Sequence, residues 1–363
     1  MSNPVFVKWK KCSLLVTSIV LAMLAITSPI EALTVDEYLA APISTEEVEL
    51  EGQALVDHIN AHQSFFRAKY SPDAEKNTRS RAMDVKYLVR ANEDNILNSV
   101  LSDAELPKEF DARKHWPQCP SIGTIRDQSR CASCWAVAIT SVMTDRLCIQ
   151  SNGTKQVFLS DADLMACCTT CGNPDGTGGG CYGGYIAKGF NYLKESGVPS
   201  GGLYHDRSCC KPYPLYPCGS EKFFFEPCPD KFLTPKCRSR CQFKYGVEYE
   251  KDKLYAQTHY TVPNNETLIM KEIMTNGPVV AAFELYKDFS WYTDGVYVHK
   301  SADVSEMGHA VKLIGWGEEN GVAYWLAANS YNTYWGEKGF FRILRGVNHI
   351  KIEEYIEAGT MKL

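Results

Sequence analysis

The stretch RDQSRCASCWAVAI, residues 126–139, sets two cysteines three apart and follows the second directly with Trp135. Three readings are open: a metal clip, a redox pair, or one structural cysteine beside one chemical one. Each demands a different compartment and different partners. Beyond Cys134 the run WAVAITSVMTDRLCI repeats apolar groups at helical spacing, and Ser133 stands where a helix cap is expected. Cys134 therefore opens a helix. A helix start stabilises a thiolate through its dipole and its free N–H groups.

Working outward, the chain of 363 residues is 45% hydrophobic and 22% charged, as expected of a globular protein. A net charge of −5 without any basic block offers nothing to nucleic acid. Fifteen cysteines are many for a cytosolic chain, and the N-terminus accounts for them. Lys8, Lys10 and Lys11 precede the apolar run SLLVTSIVLAMLAI, residues 13–26, which ends in small and turn-forming residues. This reads as a secretory signal peptide over 1–32, too short for a comfortable membrane span, with no stable span expected after its removal. A signal anchor is the alternative. The secretory route makes disulfides the default state of the cysteines. The acceptor triplets at Asn152 and Asn265 agree with that route. The expected location is lysosomal or extracellular.

Residues 33–105 contain no cysteine, are rich in Glu, Asp, Ala and Asn, and carry a helical pattern across EVELEGQALVDHINAHQSFF. At LPKEFDAR, residues 106–113, the character changes, and fourteen cysteines lie beyond it. A cysteine-free acidic stretch ahead of a cysteine-rich domain suggests a removable pro-segment; an attached helical subdomain is the alternative. Further helical stretches follow around 160–167 and 184–195. From about 245 onward, GPVVAAFELY, GVYVH, HAVKLIGWG, AYWLAANS and GFFRILRG are short β-branched and aromatic runs divided by Gly and Asn. The predicted class is α+β, a helical half followed by an antiparallel, barrel-like half.

A nucleophilic thiol needs an imidazole, and the imidazole needs a group to orient it. Among eight histidines, His309 in EMGHAVKLIGWG is best placed, starting a strand after a glycine. Asn329 in YWLAANSYNTYWGEKGFF follows one strand later. Alone, a strand histidine is more often structural and an Asn-Ser pair more often a turn. Their combination with Cys134 changes that balance.

At this point the residues resemble the papain-like cysteine peptidases. The family signature C-G-[SA]-C-[WY] is matched by Cys131-Ala132-Ser133-Cys134-Trp135, with Ala in place of Gly. DARKHWPQCP, IRDQ, GGCYGGY, NGPV, MGHAVKLIGWG, NGVAYWLAANS and WGEKGFFRILRG resemble the family's segments in the family's order, spanning Leu106 to Gly359. The resemblance implies the family's two-subdomain fold with a cleft between its halves, acting on protein and peptide substrates. It also implies a monomer, no cofactor and no metal, with cystatin-type proteins as inhibitors.

Residue by residue, the resemblance makes Cys134 the nucleophile and His309 its imidazolium partner. Asn329 would hold the ring, and Gln128 would supply an oxyanion-hole N–H. Gly183 and Gly184 would bind an extended substrate backbone where a missing Cβ allows close approach. Tyr185, Ile186, Ala282, Ala310 and Tyr355 would line the substrate subsites. Cys131 becomes structural, paired with Cys181. The family pattern also implies Cys119–Cys148, Cys167–Cys237, Cys168–Cys171, Cys210–Cys241 and Cys218–Cys228. That leaves Cys134 and Cys209, the latter expected as a buried free thiol.

Spacing points to the cathepsin B branch. His309 and Asn329 follow Cys134 by 175 and 195 residues, against about 130–150 in the papain branch. The surplus is largely the Pro- and Cys-rich stretch 209–241, which resembles that branch's occluding loop. Here the loop has no histidine; Gly219, Ser220 and Glu221 follow Cys218. Asp127 lacks its usual histidine partner, and Tyr334 and Phe225 fall where a second latch pair is usual, so both latches look broken. Phe223, Phe224 and Phe225 offer apolar contact with the body instead. Tyr331 replaces the tryptophan that shields the Asn–His contact. Tyr355 replaces a pocket-floor glutamate and Ile186 a proline, which implies an apolar P2 preference. The expectation is a cathepsin B-like endopeptidase with reduced dipeptidase action, made as a zymogen. A catalytically weak binding or decoy protein is the alternative; a thioredoxin-like redox protein is weaker, because no βαβ context surrounds the motif.

Overall fold

In the computed structural model, residues 33–90, 105–173, 175–218, 228–300 and 304–363 are described. The 1–32 leader and loop residues 219–227 lie outside them. No helix among the described residues is long and apolar enough to cross a membrane.

The N-terminal segment carries helices α1 (Val35–Ala40), α2 (Thr45–Val48), α3 (Gly52–His62) and α4 (Pro72–Arg81), with strands β1 (Phe66–Ala68) and β2 (Met83–Asp84). The helical half of the remainder follows strand β3 (Phe110–Asp111) and contains α5 (Ala112–His115), α6 (Cys134–Gln150), α7 (Asp161–Cys167) and α8 (Ile186–Glu195). The second half contains β4 (Ala256–Val262), α9 (Glu266–Asn276), β5 (Val279–Leu285), β6 (Tyr292–Tyr297), β7 (Met307–Glu319), β8 (Val322–Ala328), β9 (Phe340–Leu344) and β10 (Tyr355–Met361).

These strands form one sheet in the order β1-β6-β9-β8-β7-β5-β10-β4, with β2 and β3 also pairing β7. The expected antiparallel half is modified at one place, because β6 and β9 run parallel. The sheet's outer neighbour beyond β6 is β1, contributed by the N-terminal segment. Each expected strand run is a strand. Helix α9 interrupts the region read as wholly β; Asn265 caps it by accepting from the Leu268 N–H at 3.0 Å.

Every residue of α6 from Cys134 to Cys148 is buried, so this helix crosses the interior and has no solvated face. Its charged groups must therefore find partners in the surrounding protein. Asp145 meets Lys312 of β7 at 2.6 Å, and both side chains are buried. Arg146 meets Glu272 of α9 at 2.8 Å and donates to the carbonyls of Gly277, Pro278 and Gly359. Arg126, just before the helix, pairs with Asp161 of α7 at 2.9 Å and reaches Thr140 and Thr144 on α6.

Burial lowers the Lys312 ammonium pKa, and the nearby Asp145 carboxylate opposes that shift. Removing one member of such a pair leaves a buried charge unmatched, whereas replacing both by apolar groups removes two desolvation costs. Lys312→Ala in a Cys134→Ala background should lower unfolding free energy by roughly 3–5 kcal/mol. The double variant Asp145→Leu/Lys312→Met should recover most of that loss in denaturant titrations. A Lys312→Ala protein as stable as its parent would contradict this account.

Candidate active site

Cys134 is the first residue of α6 and has no exposed surface. The preceding loop is pinned by the Cys131–Cys181 disulfide and by the Ala132 N–H donating to the Cys181 carbonyl at 3.1 Å. Ser133 does not cap the helix through its side chain, contrary to expectation. Its hydroxyl lies 2.9 Å from the Tyr213 hydroxyl, which donates to the Gln128 carbonyl at 2.8 Å. Satisfying two buried hydroxyls in one chain took precedence over the cap.

His309 lies on β7, paired across to Phe283 of β5, and Asn329 follows the end of β8. His309 Nε2 lies 2.8 Å from Asn329 Oδ1. Its Nδ1 is buried without a hydrogen-bond partner among the described residues and is the nitrogen left for the thiol. The next residue, Ala310, directs its backbone N–H at the Cys134 sulfur. Tyr331 covers the ring from one side, with centroids 4.8 Å apart.

Gln128 is fully buried and locked at both ends of its amide. Its Oε1 accepts from the Ser330 hydroxyl at 2.6 Å, while Nε2 donates to the carbonyls of Cys131 and Arg81 at 2.6 and 2.9 Å. The second acceptor belongs to the N-terminal segment. That segment runs through the cleft: Met83 pairs with Gly308 of β7, Val85 N–H donates to the Glu306 carbonyl, and Tyr87 packs edge-on against Tyr185. An extended backbone thus already lies in the cleft beside Cys134.

This occupancy changes the electrostatics. Burial pushes the Cys134 thiol up to about 11, only partly offset by the N–H groups of Ala310, Trp135, Cys134 and Met83. Burial also pushes His309 down to about 4; the Asn329 contact resists this and the Arg81 charge adds to it. Both groups are held neutral, the reverse of a thiolate–imidazolium pair.

The remaining expected residues fall around the same cleft. Ala282 pairs with Ala310 across β5 and β7, and with Tyr355 across β5 and β10, so these three residues are adjacent in register. Ile186 begins α8 beside them in the same apolar cluster. At Gly183 (φ 91°) a Cβ would collide with the Tyr87 ring, so this position permits a close approach from the cleft. Gly184 has a different reason: a Cβ there would meet the Trp135 indole at 2.6 Å.

The structure joins Cys119–Cys148, Cys167–Cys237, Cys168–Cys171, Cys210–Cys241 and Cys218–Cys228 besides Cys131–Cys181. Cys134 and Cys209 are free and buried. Burial, with Asp206, Asp161 and Asp252 nearby, pushes Cys209 up to about 12. Asn152 and Asn265 are exposed. The His/Cys/Asp/Glu grouping close enough to hold a metal among the described residues is Cys210, Cys241 and Asp252, and the disulfide consumes both sulfurs.

Residues 106–360 match the family model described as papain family cysteine protease. The chain belongs to that family. It is 44% identical over 330 residues to cathepsin B-like cysteine proteinase 5 of Caenorhabditis elegans, covering 89% of this chain and 94% of that protein. It is 42% identical to the gut-specific cysteine proteinase of the same organism, over 86% of this chain and 92% of the relative. Among solved structures it is similar to procathepsin B S9 from Trypanosoma congolense, with a TM-score of 0.70 and 32% identity. That match covers 89% of this chain and all of the other. This papain-family chain is a cathepsin B-like cysteine peptidase, a hydrolase acting on protein substrates.

Sequence reasoning missed the segment that fills the cleft, Arg81 to Leu88, and the Ser330 hydroxyl that orients Gln128. Only the RSRAMDVKYL pattern, basic residues leading into spaced apolar ones, carried any signal. With its thiol near 11, the full-length protein should have roughly one part in 10,000 thiolate at pH 7. Iodoacetamide should leave Cys134 nearly unmodified from pH 7 to 9. Proteolytic removal of the N-terminal segment should accelerate alkylation at pH 7 by more than about 100-fold. Equal rates before and after removal would refute the burial argument.

Proposed function

We propose that the chain is the secreted zymogen of a cathepsin B-like endopeptidase, with a signal over 1–32, an inhibitory pro-segment over 33–105 and a mature enzyme over 106–363. The observation that carries this reading is the Arg81 carbonyl accepting from Gln128 Nε2 at 2.9 Å beside the start of α6. A backbone carbonyl held there takes the hydrogen bond an oxyanion would take, while the segment runs opposite to a substrate, its residues after Arg81 lying against Gly183.

Once the cleft is emptied and water returns, the proton moves from Cys134 to His309, whose other nitrogen Asn329 holds. The thiolate attacks the scissile carbonyl, and the oxyanion receives hydrogen bonds from Gln128 Nε2 and the Cys134 N–H. His309 gives its proton to the departing amine. Water, deprotonated by the same ring, then releases the acyl group and restores the thiol. The apolar neighbours Ile186, Ala282, Ala310 and Tyr355 favour an apolar P2 side chain, because a P2 arginine would lose hydration without a buried countercharge. The stretch 209–241 has no histidine pair to capture a C-terminal carboxylate and sets Ser220 and Glu221 after Cys218, so cleavage inside chains dominates over dipeptide release. The basic and apolar N-terminal pattern and the disulfides support entry into the secretory pathway, ending in lysosomes or outside the cell.

Processed protein should hydrolyse P2 Phe or Leu peptides with kcat/KM at least about tenfold above P2 Arg. Cys134→Ala should abolish turnover, and His309→Ala should reduce it steeply. Full activity in Cys134→Ala would overturn the peptidase assignment, while a preference for P2 Arg would overturn the pocket reading alone.

Acid releases the pro-segment. The contact faces include Lys76–Asp230 at 2.6 Å and Lys287–Glu51 at 3.4 Å, besides a cavity of about 360 Å³ lined by Tyr38, Glu47, His58, Asp288 and His299. Glu47 lies below its ordinary 4.5, chiefly through the Ser44 N–H, helped by His58 and Lys300. Asp230 lies below 3.8 through Lys76. Groups depressed in the folded state stabilise it above their unfolded values, and that contribution is lost as pH falls through the folded ones. Purified precursor should therefore be inactive at pH 7 and mature increasingly as pH drops below about 4.5. Precursor as active as trimmed enzyme at pH 7 would contradict this.

A further inference from the structure

We propose that the cradle now holding Arg81 is a cation-selective subsite of the mature enzyme, on the leaving-group side of the scissile bond, that favours substrates with arginine there. This rests on the peptidase reading above.

Arg81 is 2% exposed, yet among the described residues the groups holding its guanidinium lie beyond residue 106. Its Nε donates to the Ser129 carbonyl at 3.1 Å, and its Nη2 to the Cys218 carbonyl at 2.6 Å and the Tyr334 hydroxyl at 3.1 Å. The Asp127 carboxylate lies 3.7 Å away, and the guanidinium sits 4.8 Å from the centre of the Tyr331 ring. This set comprises one carboxylate, two carbonyls, a phenol and an aromatic face, all of which favour a planar cation.

The cradle is built without help from Arg81. Asp127 is oriented by the Ser129 N–H at 2.7 Å and the Asn332 amide at 3.0 Å. Ser129 is held in the left-handed region (φ 55°), and its hydroxyl donates to the Tyr216 carbonyl at 2.6 Å. Tyr334 donates to the Cys218 carbonyl. When the N-terminal segment leaves, these acceptors remain in place without their cation, and a substrate guanidinium can replace it.

The placement follows from the path of the chain. The Arg81 carbonyl takes the Gln128 donor, while Met83 and Tyr87 lie against Gly183 and β7 on the acyl side. The Arg81 side chain extends the other way, toward Tyr331, Tyr334 and the base of the 209–241 stretch. A side chain in the first two positions after the scissile bond reaches that space. Because Tyr331 lies between the cradle and His309, a cation bound there also disfavours the imidazolium. Its benefit should therefore appear in KM and not in kcat.

The test uses processed, active-site-titrated enzyme and internally quenched peptides with an apolar P2 and Arg, Lys, Leu or Glu at the first or second position after the bond. Arg should lower KM about tenfold relative to Leu at one of these positions, with Glu worse than Leu. Asp127→Asn should bring the Arg/Leu ratio close to one, and Tyr334→Phe should reduce it in part. Anisotropy of fluorescein-labelled Arg and Leu peptides on Cys134→Ala protein, processed in trans, reads the same preference without turnover. Turnover with equal KM for Arg and Leu at both positions would overturn the subsite and leave the peptidase reading intact. Selective Arg binding without any turnover in the unsubstituted enzyme would do the reverse. An Asp127→Asn enzyme that keeps the full Arg preference would also overturn the proposal.

Discussion

The ion pair between Asp145 and Lys312 joins the helix that carries Cys134 to the strand that carries His309. A peptidase of this type needs sulfur and imidazole in contact, yet they come from different halves of the molecule. Because α6 is buried on every side, its polar residues cannot turn to water. Rotating the helix by one residue would turn its side chains about 100° and leave Asp145 and Arg146 buried without Lys312 and Glu272. The two charge pairs therefore admit one rotational setting, and that setting determines which way Cys134 faces. The Cys131–Cys181 disulfide fixes the approach to the helix, and the Ser133–Tyr213–Gln128 chain ties that approach to Gln128.

The same rule, that a buried charge must be matched, governs how the N-terminal segment grips the cleft. A covering peptide needs only bulk to exclude substrate, and Met83, Tyr87 and Leu88 supply it. Arg81 adds a fixed position. Its guanidinium is held by Ser129, Cys218, Tyr334 and Asp127, which places its own carbonyl on Gln128 and the following residues along β7. Exclusion of water then silences the chemistry without any displaced catalytic residue: a thiol near 11 and an imidazole near 4 stay neutral together. The dyad itself contributes little to acid release. Neutral thiol plus neutral imidazole hold one proton, and so does the thiolate–imidazolium pair. The carboxylates at the contact face carry that response.

What was legible in the sequence follows the range over which each signal acts. Cys134, His309, Asn329 and Gln128 stand in short segments whose residue types serve the chemistry directly, and the β runs carry their own turn residues. Helix α9 was legible in principle, since Leu268, Ile269, Ile273 and a capping Asn265 have helical spacing. The β-rich context around it masked that pattern. The parallel pairing of β6 with β9 had no local signal, because pairing direction depends on the path of the intervening chain. The Arg81 cradle was illegible for the same reason. Its partners lie 48, 137 and 253 residues away in the sequence, and Asp127 and Tyr334 read only as remnants of a lost latch.

Tyr331 is where the two systems meet. Its ring lies 4.8 Å from both the His309 ring and the Arg81 guanidinium. An aromatic face between two cations attracts each of them, but it does not screen one from the other, so a fixed guanidinium there opposes protonation of His309. In the precursor that opposition is permanent and reinforces the silence of the dyad. For a substrate it is temporary. The imidazolium proton passes to the leaving amine, and the cation departs with that amine once the acyl bond to Cys134 has formed. The second half of the reaction, in which His309 must take a proton from water, then proceeds with the cradle empty. A cation on the leaving-group side therefore aids binding and is gone before the ring has to become positive again. A cation on the acyl side would remain through both steps, and there the protein provides the apolar group of Ile186, Ala282, Ala310 and Tyr355.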